Sequence, residues 1–120
     1  MVTWFPSGRL ALALSATLFS IPVCVAAEAP APYAKIIFPA DGTKLDAKTL
    51  DRVDYDVVPG ASGDHLHLYV DGKEAGILRK LSGSHPLERM NPGEHTLCIK
   101  VVNKAHVPIG VEQCNKVVVE

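Results

Sequence analysis

Tryptophan is nearly missing from this 120-residue chain: the single one is Trp4, close to the amino terminus. Aromatic residues make up only 6%. Beyond residue 27 they are Tyr33, Phe38, Tyr55 and Tyr69, too few to build a carbohydrate-stacking platform. An excess of one charge is also lacking. Lys plus Arg is 12 and Asp plus Glu is 13, a formal net charge of −1. That leaves no basic surplus to neutralise phosphates, which argues against a nucleic-acid partner. No G-x-S-x-G, H-E-x-x-H, P-loop or dinucleotide-binding glycine pattern occurs. Ser62, Ser82 and Ser84 stand in turn-like text beside glycines, where serine is ordinary. No catalytic constellation can be assembled, so no enzyme is expected. What is present, 48% hydrophobic and 21% charged residues, is ordinary for one globular domain. It excludes a disordered, collagen-like or coiled-coil chain.

Residues 1–27 read as an address. Arg9 gives a weakly positive start, and Leu10 to Val25 carries no charge. Ala26 and Ala27 follow as small residues, the layout of a secretory signal peptide cut after Ala27. The apolar run of about 16 residues is short of the ~20 that cross a bilayer, which disfavours an uncleaved anchor. Ile21-Pro22-Val23-Cys24 loosely matches a lipobox, but Val23 stands where a small residue is needed. The expected location is therefore the periplasm or the extracellular space. Residues 28–32 form a short Pro/Ala tether. Nothing after them is long and apolar enough to span a membrane.

From residue 33 onward, short apolar and β-branched runs are cut by turn residues. Strands are predicted at Lys35–Phe38, Arg52–Val58, His65–Val70, Ala75–Leu81, near Ser84–Leu87, at Thr96–Val102 and at Gly110–Val119. Val53, Tyr55 and Val57 alternate with Asp54 and Asp56; Leu66, Leu68 and Val70 alternate with His65, His67 and Tyr69. Asp71-Gly72 is a tight-hairpin signal. One helical turn is possible over Asp46–Val53, too short to change the class. About seven strands with frequent turn signals predict an all-β fold, a single antiparallel β-sandwich over residues 33–120.

Removal of the leader takes Cys24 and leaves Cys98 and Cys114, an even count for an exported chain. If the last two strands form a hairpin centred near His106, these cysteines face each other on the outer face. Free thiols or a metal pair are the alternatives. The spacing is not C-x-x-C, and an oxidising compartment favours a disulfide. Closing such a loop contributes ~3 kcal/mol.

Ile36-Ile-Phe-Pro-Ala-Asp-Gly42 and Met90-Asn-Pro-Gly-Glu-His-Thr-Leu97 resemble the opening strand and penultimate-strand entry of small immunoglobulin-like or fibronectin-III-like domains of exported bacterial proteins. His95 stands where many of them carry a corner tyrosine. His65-Leu-His-Leu-Tyr-Val-Asp-Gly72 is similar to short uncharacterised periplasmic proteins with a His-rich strand before a V-D-G turn. The resemblance implies an immunoglobulin-like architecture and says little of activity. It also implies that the His65 strand pairs with the penultimate strand.

His65 and His67 share a strand face by parity, beside Tyr69. This pair reads as part of a copper site completed by His106, His85 or the thioether of Met90. The plainer reading is two solvated histidines on the polar side of an amphipathic strand, and a third is a polar contact surface. His95 is expected to satisfy backbone groups at a corner. Asp51, Asp54 and Asp56 do not match a calcium loop and read as a wet strand face. Together these readings predict an exported, non-catalytic binding or accessory module of the cell envelope, without a cofactor. Its partner would be an envelope protein or small ligand, met through Tyr69, Lys104 and His106 and the loop Asn103–Gly110. The sharper alternative is a periplasmic copper-binding or copper-handling protein.

Overall fold

In the computed structural model, residues 2–4, 8, 11–24 and 30–120 are described. The expected cleavage position Val25–Ala27, Arg9 and Leu10 of the leader, and Glu28 and Ala29 of the tether lie outside them. Turn residues divide the chain into strands β1 (Tyr33–Phe38), β2 (Thr43–Leu45), β3 (Arg52–Val58), β4 (His65–Val70), β5 (Lys73–Leu78), β6 (Ser82–Pro86), β7 (Gly93–Val102) and β8 (Pro108–Val119). Two sheets result, in the orders β1-β3-β6 and β2-β8-β7-β4-β5. Among the described residues no helix is long and apolar enough to cross a membrane.

The all-β sandwich expected from the alternation is present, with two corrections. There are eight strands rather than about seven, and β2 runs parallel to β8, so the larger sheet is mixed. Three residues are too few to show a period of two. The strand is recruited instead by β8: the amide of Gly42 donates to the Lys116 carbonyl, and the amide of Lys116 donates to Asp41. The possible helical turn over Asp46–Val53 is a turn at residues 47–49, where the Asp46 carboxylate accepts the Lys48 amide.

The two sheets bury alternate residues against one another. Val53, Tyr55 and Val57 of β3 meet Leu66 and Leu68 of β4, Leu97, Ile99 and Val101 of β7, and Val117 and Val119 of β8. A fully buried side chain of this size contributes ~1.5–3 kcal/mol, so this layer dominates the stability. Cys98 lies directly opposite Cys114 in the β7–β8 ladder, and the two are joined by a disulfide. At the β4–β5 turn Asp71 and Gly72 have φ of 51° and 80°, the left-handed pair that a two-residue hairpin requires.

Strand β4 pairs with β5 on one side and β7 on the other. Its backbone therefore cannot move without breaking two ladders, and whatever β4 projects outward is rigidly placed.

Candidate metal centre

Because Leu66 and Leu68 face the core, His65 and His67 project from the opposite face of the larger sheet. They are not solvated there, contrary to the plainer reading of the sequence: they are 2% and 3% exposed. The cause is the β7–β8 loop, which turns back so that His106 lies over both rings, with centroids 4.6 and 5.2 Å away. Alternation along β4 gives the face but cannot reveal that a loop some forty residues later covers it.

That loop is built around Asn103. Its carbonyl accepts the His106 amide at 2.9 Å, its amide donates to Val107, and its side-chain oxygen accepts the amides of Ala105 and Val107 at 2.9 and 3.1 Å. His106 is held at φ 63°, a left-handed conformation uncommon outside glycine. Strain of this kind persists only where neighbouring structure imposes it.

Three ring nitrogens converge. Nε2 of His65 is 3.1 Å from Nε2 of His67, and Nδ1 of His106 is 3.2 and 3.1 Å from these two. Each such nitrogen carries either a proton or a lone pair. With three atoms and two states, at least two must be alike, so three mutual hydrogen bonds are impossible. A cation accepts all three as lone pairs. The described residues contain this one group of three potential metal-binding side chains.

The outer sides of the rings support that role. The Asp64 carboxylate accepts Nδ1–H of His65 at 2.9 Å, which turns the Nε2 lone pair inward. Nδ1 of His67 meets the Tyr69 hydroxyl at 3.5 Å, with the Glu74 carboxylate 3.8 Å away. Burial lowers the His67 pKa; Glu74 opposes this, while the positive charge that His65 and His106 would carry adds to it. The neutral, ligating form is thereby favoured.

Of the five expected ligands, the structure brings His65, His67 and His106 together and leaves His85 and Met90 apart. Those two line a cavity of about 400 Å³ with Leu68 and Val70, on the core-facing side of β4. His85 sits against Gly76, where an added Cβ would come within 2.9 Å of its Nε2. Pairing of β6 with β3 in the other sheet carries His85 away from the trio. Tyr69 is half-buried beneath the Lys100 ammonium, 4.9 Å from its ring centroid. Lys104 is exposed and borders a shallow depression with Ser62, Gly63 and Asp64. His95 does serve a corner: Nε2 donates to the Asn91 carbonyl and Nδ1 to Asp71, both at 2.6 Å.

Asp64, Asn103 and Glu74 were missed by sequence reasoning. An acid directly before a His-x-His strand was the available signal for Asp64. Asn at the head of a loop was the signal for Asn103.

No family model matches the chain, and no curated protein matches it in sequence. Solved structures do match in shape. Fibronectin(III)-like modules of CbhA from Clostridium thermocellum align with a TM-score of 0.59 at 13% identity, over 72% of this chain and 95% of theirs. The fold is that of a fibronectin(III)-like module. An engineered protein also aligns, with a TM-score of 0.54 at 18% identity, over 75% of this chain and 20% of its own length. At such identities the likeness concerns architecture alone. In this chain the histidine cluster rests on the face of the larger sheet opposite the core.

Proposed function

We propose that the chain is an exported, non-catalytic binding module of the cell envelope whose ligand is a single copper ion held by His65, His67 and His106. One observation carries this reading: three imidazole nitrogens converge at 3.1–3.2 Å, an arrangement no assignment of protons satisfies. Copper is favoured because imidazole is among its suited donors, and export would bring the chain to a compartment where copper is met. The leader-like layout of residues 1–27 supports export, and Tyr69 and Lys104 beside the trio are the surface on which an envelope partner would approach.

Calorimetric titration with Cu(I), supplied anaerobically, tests the reading. The protein should bind one ion, and His65→Ala/His67→Ala should lose that site while its circular dichroism remains that of a β-sandwich. Equal binding by the double variant, or none by the parent, would return the histidines to a structural role.

A further inference from the structure

We infer that the site is built for a closed-shell d10 ion in tetrahedral coordination, Cu(I) or Zn(II), with one vertex left to an external ligand, and not for Cu(II) with all three imidazoles in its equatorial plane. The inference rests on the metal reading above and asks which ion the geometry accepts.

Cu(II) favours a tetragonal set of donors. Three nitrogens at ~2.0 Å in one plane require a trans pair separated by about 4.0 Å. The widest separation in the trio is 3.2 Å. Opening it is resisted on every side. His65 and His67 stand two residues apart on a strand paired along both edges. His106 is fixed by the hydrogen bonds to Asn103.

The separations of the three nitrogens suit a tetrahedral ion. At ~2.0–2.1 Å from each nitrogen it sits about 0.9 Å out of their plane, with N–metal–N angles of about 100°. Among the described residues no further His, Cys, Asp or Glu joins the trio as a fourth donor. Asp64 is engaged at Nδ1 of His65, and Tyr69 and Glu74 approach Nδ1 of His67, all on the ring edges facing away from the ion. His106, unlike its two partners, is exposed, which gives the ion a path to solvent. Three imidazoles and one exchangeable ligand make a centre that can hold an ion and accept a small anion or a partner's side chain.

Co(II) is the spectroscopic probe for the full chain. Tetrahedral Co(II) absorbs strongly in the visible region, and six-coordinate Co(II) only weakly. The strong spectrum is expected, with a shift on addition of azide and loss on addition of one equivalent of Zn(II). Parallel arms use Zn(II) against a zinc chelator and Cu(I), supplied anaerobically, against a chromogenic Cu(I) chelator. Each should bind once and weaken about a hundredfold or more in His106→Ala. Cu(II) should show no electron paramagnetic resonance spectrum with three equatorial nitrogens. Such a spectrum, a weak six-coordinate Co(II) spectrum, or indifference to azide would overturn the inference while leaving metal binding intact. Failure of every ion to bind would remove both readings.

Discussion

The carboxylate of Asp64 lies 2.9 Å from Nδ1 of His65, across the ring from the nitrogen that meets His67 and His106. The Asp64 amide donates to the Val102 carbonyl, so the residue is anchored where β4 begins. Its side chain fixes the tautomer and aim of the ligand it touches.

Asp64→Ala should therefore weaken metal binding ~10–100-fold, as loss of an outer hydrogen-bond partner generally does. Asp64→Asn, which keeps an acceptor without the charge, should fall between the parent and the alanine variant. Competition with a chelator measures both; unchanged affinity in Asp64→Ala would deny the aspartate this part.

Asn103→Ala removes the oxygen that accepts two loop amides. Each such bond contributes ~0.5–1.5 kcal/mol. Lower stability in denaturant and a metal affinity reduced about tenfold or more are expected, because His106 loses the support for its left-handed backbone. A variant that loses stability yet binds metal as tightly as the parent would separate His106 from the site.

How much of this was legible in the sequence depends on separation along the chain. Val53, Tyr55 and Val57 are buried as their alternation implied, and Asp71-Gly72 turns where a hairpin signal stands. Cys98 faces Cys114 in the register of a hairpin centred at His106, past an irregularity between Lys100 and Val102 nearer the turn. Parity put His65 and His67 on one face, and His106 stood among three candidate partners for them. Choosing among His106, His85 and Met90 required knowing which loop folds over which sheet, a long-range fact with no local pattern. The burial of the pair was misjudged for the same reason. Strand β2 was invisible because three residues next to a turn carry no period.

The corner at His95 predicts a pH-dependent stability. The Asp71 hydrogen bond, more than the bond to Asn91, raises the His95 pKa, and the His95 bond holds the Asp71 carboxyl below its usual range. The histidine's contribution is full below its unfolded value of ~6.5 and fades as pH rises through its raised folded value. The aspartate's contribution is full above ~3.9 and fades as pH falls through its lowered one. Their joint contribution is thus greatest between about pH 4 and pH 6.5. Thermal unfolding of His95→Gln should show its largest deficit in that window and a smaller one at pH 9. A deficit equal at all pH values would mean that the ion pair adds nothing. Asp71 is 47% exposed, so the deficit should shrink in high salt.

The disulfide should matter for stability and little for the site. Cys98 pairs across from Tyr69, two residues along the ladder from the pairing of Lys100 with His67. Replacing both cysteines by alanine should cost ~3 kcal/mol through loss of loop closure. The β7–β8 ladder should keep its register, and the metal stoichiometry should stay at one. Loss of metal binding in a variant that is still folded would show that the bridge positions the histidines.

The most direct measurement is a crystal grown with one equivalent of copper or zinc, with diffraction recorded at the absorption edge of that metal. A single anomalous peak ~2.0–2.1 Å from Nε2 of His65, Nε2 of His67 and Nδ1 of His106 is the predicted result. A peak that engages His85 or Met90 instead, or a fully ordered trio with no peak between its nitrogens, would contradict the account.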